Sequence, residues 1–439
     1  MSSLTNSLKY QERARQLIPG MGQLLSKRPD MFSLGVWPGY YSKAKGAEVW
    51  DLDGNHYVDM SIGGIGANVL GYADPDVDAA VKKAISCGSS SSLNCYEEVE
   101  LAEKLCIIHP WASKVRLARS GGEAMAVAVR IARAFTGRDK VIICGYHGWH
   151  DWYLAANLGT ENALGEHLIS GLSSVGVPRA LKGTALTFRY NDLNNLREVI
   201  TPCKNEIAAI VMEPIRNIEP MPGFLSGVRD IAHEIGAVFI FDEISSAFRM
   251  NAGGAHLRFQ IAPDMAVFSK SLGNGYPIAA IIGISDVMDA AQKTFISSTM
   301  WTERIGPVAA LETIRKFEQR SVASRLMELG QQVQEGWRRA ARAAGLRIHI
   351  SGIYPLSHFS FEDSEHAVMK AFLVQEMLDR KFLASNLFYP MFSHTDKHVA
   401  KYLEDMGDVF LCLSRLKASG RLKNALRGQP ASVGFKRLT

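Results

Sequence analysis

Lys270 closes an apolar run, Met265-Ala266-Val267-Phe268-Ser269-Lys270, and leads into Ser271-Leu272-Gly273-Asn274-Gly275. Most lysines are solvated, and in isolation this one reads as a surface charge. Its place at a strand end before small residues fits that reading poorly. An amine held in a partly desolvated pocket loses basicity and becomes a nucleophile, which a Schiff-base lysine requires. Asp242-Glu243 follows a second apolar run, Ala237–Phe241, and Asp242 lies 28 positions before the lysine. A carboxylate there can pair with a protonated pyridine nitrogen and keep that ring an electron sink. A metal-binding or helix-capping acid pair is the alternative, and sequence position alone does not choose.

Two further segments bear on chemistry. Ser120-Gly121-Gly122-Glu123-Ala124 follows an apolar run and opens a helical stretch. Small residues at a helix start leave backbone N–H groups free to hold a phosphate. A serine followed three residues later by glutamate is also an ordinary capping box. Tyr146-His147-Gly148-Trp149-His150 follows the run ending in Cys144. An aromatic there can lie on a flat ring, and the two histidines at i, i+3 are metal ligands or, more commonly, structural.

These segments need elements to position them. Apolar runs predict strands at Lys114–Arg119, Lys140–Cys144, Ile207–Met212, Ala237–Phe241, Met265–Phe268 and Ile278–Ile284. Helical periodicity over Glu123–Phe135 and Val228–Ile235 supplies crossovers, which predicts a mainly parallel sheet covered by helices. Ligands of such sheets gather beyond the carboxyl ends of the strands, where all four segments fall. Upstream, GAEVWDLDGNHYVDM reads as a hairpin turning at Asp53-Gly54. After about Pro307 helix-forming stretches dominate, with weaker strand signals over Arg347–Phe361. The plan is a large central domain and a smaller one assembled from both chain ends.

The 439 residues are 47% hydrophobic and 21% charged, ordinary for a globular chain. No apolar run approaches the roughly 18 residues a membrane helix needs, and the N-terminus lacks a signal-peptide pattern, so the expected compartment is the cytoplasm. Six scattered cysteines without CxxC spacing suit reduced thiols and predict no metal site. The net charge of +5 is a property of the tail, because seven Lys and Arg and no acid follow from Arg415, leaving 5 − 7 = −2 for the rest. A frayed, solvated C-terminus is the expected reading of that tail, with no nucleic-acid or membrane partner.

Taken in order, SGGEAMAVAVRIARAFTGR at Ser120–Arg138, YHG at Tyr146–Gly148, EP at Glu213-Pro214, FDE at Phe241–Glu243 and PD…SK at Pro263–Lys270 resemble the class III pyridoxal-phosphate (PLP) aminotransferases. The glutamate-1-semialdehyde 2,1-aminomutase branch is the most similar. The resemblance extends from LIPG at Leu17–Gly20 and WDLDGNHYVD at Trp50–Asp59 to SHT at Ser393–Thr395. It implies an α/β protein of PLP transferase fold type I, with a seven-stranded mainly parallel sheet in the large domain and a small α+β domain. Residues 1–62 would join the small domain, 63–310 form the large PLP-binding domain, and 311–439 complete the small one. It also implies a homodimer with shared active sites.

By the same resemblance Lys270 bonds the cofactor and moves protons, Asp242 pairs with the pyridine nitrogen, Tyr146 stacks on the ring and Asn217 lies near the ring hydroxyl. Ser120, Gly121 and Gly122 hold the phosphate, Glu213 sits close by, and Thr299 reaches the neighbouring subunit's phosphate, with Thr302 as the alternative register. Four departures cluster toward the substrate. Gly122 replaces a threonine, Met300-Trp301-Thr302 replaces a glycine-rich stretch, Ala247 stands where glycine is usual, and Lys381-Phe382 replaces an Arg-Gly pattern. The bulk of Trp301 is expected to reshape the entrance and disfavour glutamate 1-semialdehyde. The implied activity is amino transfer from an amino donor to a carbonyl acceptor in two half-reactions. Relatives whose N-terminal half resembles SKRPDMFSLGVWPGYYSKAKG are linked with sugar or cell-surface carbohydrate pathways, which by resemblance implies a carbohydrate-related acceptor. The alternatives are a 2,1-aminomutase and a catalytically silent PLP-fold binding protein.

Overall fold

The computed structural model of the protein describes residues 4–160, 162–165, 167 and 169–434. The chain divides into two compact units, one running up to Asp74 and resuming at Ser324, the other Pro75–Ala323.

The first unit opens with β1 (Tyr41–Lys45), β2 (Glu48–Asp51) and β3 (His56–Met60). The β2–β3 turn forms as its sequence predicts. Gly54 takes φ 79, and the Asp51 carboxylate accepts from the N–H groups of Asp53 (2.9 Å) and Asn55 (2.8 Å).

The second unit holds β4 (Lys114–Ala118), β5 (Lys140–Cys144), β6 (Ala185–Thr187), β7 (Ile207–Met212), β8 (Val238–Asp242), β9 (Met265–Phe268) and β10 (Ala279–Gly283). They form one sheet in the order β4-β10-β9-β8-β7-β5-β6. Only β10 runs against its neighbours, being antiparallel to both β4 and β9. The residues of β7, β8, β9 and β10 are buried throughout, which is why they read as unbroken apolar runs. Three predicted strands have the expected bounds, while Ala237–Phe241 shifts by one so that Asp242 ends the strand. The three-residue edge strand β6 is too short to announce itself. The helix Gly121–Thr136 lays Ala124, Met125, Ala128, Ile131 and Ala132 into the core with Val141, Val211 and Ile240, and ends at left-handed Gly137.

Returning to the first unit, β11 (Ile348–Ser351), β12 (Ser357–Phe361) and β14 (Leu387–Phe388) make a three-stranded sheet, and β13 (Phe382–Ala384) pairs parallel with β3. Lys381 has φ 68, a conformation glycine adopts most readily. Lys381 of the Lys381-Phe382 pair, which stands in place of an Arg-Gly pattern, thus carries a side chain in backbone that suits glycine. As far as Ser432 the basic tail is tied down. Ser432 N donates to Asp30 O (2.8 Å), Gln429 N to Leu34 O (3.0 Å), and Arg427 pairs with Asp379 at 2.9 Å. The last two basic residues, Lys436 and Arg437, lie outside the described residues. Among the described residues no helix is long and apolar enough to cross a membrane.

Candidate active site

The segments that carry chemistry all belong to the large unit and stand at the carboxyl ends of its parallel strands. Ser120 follows β4, Tyr146 follows β5, Glu213 follows β7, Asp242 ends β8 and Lys270 follows β9. Because β8 and β9 are parallel neighbours, the aspartate and the lysine arrive at adjoining strand ends.

Lys270 takes φ 43, an uncommon conformation for a residue with a side chain, and opens a short 3-10 turn. Its Nζ donates to Ser245 Oγ at 2.7 Å. Burial, then the positive charges of Arg216 and Arg249, push its pKa from 10.5 to about 7, against the pull of Glu213 and Asp242. The fold therefore supplies a nucleophilic amine close to neutral pH.

The acid pair separates. Asp242 Oδ2 lies 2.8 Å from His147 Nδ1, and Asp242 Oδ1 accepts from Ile244 N at 3.1 Å. Glu243 turns away into a buried pocket, where it accepts from Ala255 N and pairs with His256 Nδ1. Trp111 Nε1 donates to His256 Nε2 at 2.8 Å, which leaves the His256 proton on Nδ1 to face Glu243. The metal-ligand readings of Asp242-Glu243 and of His147 with His150 are thereby answered: His147 is spent on Asp242, and Glu243 braces the fold.

At the helix start, the Glu123 carboxylate accepts from Arg119 N (3.0 Å) and Ser120 N (3.4 Å). The capping reading and the phosphate reading are compatible, because the first-turn N–H groups of Gly121 and Gly122 still lack an i−4 acceptor. Gly148, at φ 99, passes so close that a Cβ there would stand 3.3 Å from Gly122 Cα.

Glu213 ties two loops together, accepting from Tyr146 N at 3.1 Å and from Arg216 at 2.8 Å. A Cβ on Gly145, at φ 118, would meet Glu213 Oε2 at 2.8 Å, so this close approach requires glycine. Glu213, Arg216 and Asn217 face a cavity of about 660 Å³ that also contacts His167, Arg189 and Tyr190. Thr302 Oγ1 donates to Thr299 O within its own turn at 2.9 Å, while Thr299 is exposed. Trp301 does not stand clear in a cleft. Its ring packs on the core of the large unit, and its carbonyl oxygen accepts from Arg119 at 2.7 Å.

Sequence reasoning missed Ser245, Arg216 and Arg249. Ser245 lies three residues beyond Asp242, and that spacing was the only local signal available. The arginines carry none, because their effect on Lys270 arises from tertiary approach. The residues present suit pyridoxal phosphate, offering a weakly basic amine for its aldehyde, a buried carboxylate for its pyridine nitrogen and a glycine-lined helix start for its phosphate.

A seven-stranded, mainly parallel sheet with lysine and aspartate at adjoining strand ends defines the fold-type-I class of PLP enzymes. Residues 35–410 match the family model of the class-III aminotransferases. The chain is 31% identical over 416 residues to the 3-aminobutyryl-CoA aminotransferase of Cloacimonas acidaminovorans (strain Evry), covering 91% of this chain and 95% of that protein. The FumI protein of Sphingopyxis sp. MTA144 has the same fold, with TM-score 0.86 at 23% identity over 97% of this chain and 99% of that one. So does a glutamate-1-semialdehyde aminomutase of Pseudomonas aeruginosa PAO1, with TM-score 0.79 at 20% identity over 93% and 95%. The chain belongs to the class-III aminotransferase family. Its cofactor is pyridoxal phosphate, and it moves an amino group from a small-molecule amino donor to a carbonyl acceptor.

Proposed function

We propose that Lys270 is the catalytic residue of this aminotransferase, and that Asp242, Tyr146, Asn217, Glu213 and Ser120-Gly121-Gly122 hold the cofactor around it. The observation that carries the proposal is the condition of the Lys270 amine, fixed by Ser245 at 2.7 Å with its pKa at about 7. Such an amine can attack a carbonyl and afterwards take and return a proton at the substrate carbon. When bound, PLP supplies the electron sink that stabilises charge at that carbon. Asp242, oriented by His147, would hold the positive charge of the pyridine nitrogen. Tyr146 would cover a ring face and Asn217 would lie toward the ring hydroxyl, while Glu213 keeps the Tyr146 loop in place by accepting from Tyr146 N. The first-turn N–H groups of the helix would receive the phosphate.

The 3-aminobutyryl-CoA aminotransferase relative supports a donor whose amine sits on the carbon β to an acyl carbonyl. The working form is a homodimer, in which Thr299 of one protomer reaches the phosphate of the other's site. Leu93 and Phe295 are 81% and 85% exposed in the single chain and would be covered if they lie in that interface. Six free thiols suit the reducing cytoplasm.

Borohydride reduction of the yellow protein, followed by peptide mapping, should find the cofactor on Lys270, and Lys270→Ala should lower turnover by roughly a thousandfold or more. Full turnover in that variant would remove Lys270 from the mechanism. Conversion of a single substrate with no keto acid present would mark a 2,1-aminomutase instead.

A further inference from the structure

His150 is absent from every role assigned so far, yet it stands against the start of the helix Gly121–Thr136. An ideal Cβ on Gly122 would lie 3.0 Å from both Nδ1 and Cε1 of the His150 ring. The imidazole edge therefore occupies the space a side chain at position 122 would fill. Its Nδ1 is buried and has no hydrogen-bond partner among the described residues. A buried polar atom without a partner is costly, so a group that satisfies it when present is the physical expectation.

One ring face is covered and the backbone beneath it is anchored. Trp149 stacks on it with centroids 4.3 Å apart, and the His150 carbonyl oxygen accepts from Tyr153 N (2.9 Å) and Leu154 N (3.1 Å). Burial lowers the pKa of the imidazole, against the pull of Glu123 and Asp151, which favours the neutral ring. A neutral ring still carries one N–H, and an anion at Nδ1 selects the tautomer that places it there.

We propose that His150 is a phosphate-binding residue of this site, its Nδ1–H donating to the cofactor phosphate in place of the side chain that Gly122 lacks. The proposal rests on the phosphate lying at this helix start, as proposed above. It explains why a chain without a hydroxyl at position 122 keeps an imidazole there, and why Gly148 must be glycine to bring the loop so close.

The test compares binding of PLP and of pyridoxal, which lacks the phosphate, to the full-length enzyme stripped of cofactor and titrated by absorbance. His150→Ala should weaken PLP roughly ten- to hundredfold while changing pyridoxal by less than about twofold. His150→Gln, which keeps a donor, should retain most of the PLP affinity. Gly122→Thr alone should weaken PLP by crowding the ring, and adding His150→Ala to it should restore affinity by giving the hydroxyl that space. Equal losses for both ligands, unchanged PLP affinity in His150→Ala, or a double variant no better than His150→Ala would overturn the proposal. Borohydride mapping of the wild-type protein to a residue other than Lys270 would instead indict the underlying site assignment.

Discussion

Lys270 owes its reactivity to its neighbours. Its folded pKa is depressed, so the amine is mostly protonated below about pH 7 and mostly neutral above it. Cofactor capture by the stripped enzyme should therefore slow roughly tenfold for each pH unit below that point, as read by stopped-flow absorbance. Arg216→Gln removes a like charge and frees Glu213 to act on the amine, so the inflection should move to higher pH. An inflection that stays put would show that burial alone sets the shift. The same shift has a stability consequence with a definite sign. Between about pH 7 and 10.5 the unfolded chain binds more protons than the folded one, so this group's contribution to stability rises with pH over that window. Below pH 7 the full cost of burying the amine remains, which is how a site purchases its nucleophile.

Close approach and positive φ in the loops at the strand ends are met most readily by glycine. Gly145→Ala should destabilise the protein by about 1–3 kcal/mol, through positive φ together with the clash on Glu213. Gly137→Ala, at φ 67 with nothing within 4 Å, should cost about 1 kcal/mol. Thermal unfolding of both variants checks the difference, and equal melting temperatures would remove the Glu213 contact from the account. The interior strands were legible in the sequence because both faces are covered, which turns β7, β8 and β9 into plain apolar runs. The edge strand β6 was not, since three residues with one buried neighbour leave no pattern. Nor was the reversal of β10, because strand direction is decided by connections rather than by local composition. Within the site, residues directly beyond strand ends were readable. Ser245, Arg216 and Arg249 were not, because their effect depends on three-dimensional approach to Lys270.

At the scale of the whole molecule, the proposed shared sites make a prediction that no single chain can satisfy. Lys270→Ala homodimers should be inactive, and Thr299→Val homodimers should bind PLP weakly. Dimers re-formed from a mixture of the two should contain one intact site, built from the lysine of one protomer and the threonine of the other. Activity at low PLP should therefore reappear on mixing, and a monomer in sedimentation or no recovery on mixing would exclude shared sites. The contact between Gly122 and His150 also constrains how this molecule could have changed over time. A threonine acquired at 122 while the histidine remained would bring its Cβ within 3.0 Å of the ring, whereas losing the histidine first weakens the hold on phosphate but leaves room for the hydroxyl. The two positions are thus coupled in sequence of events as well as in space, and the passable route between the two solutions runs through a chain that has neither.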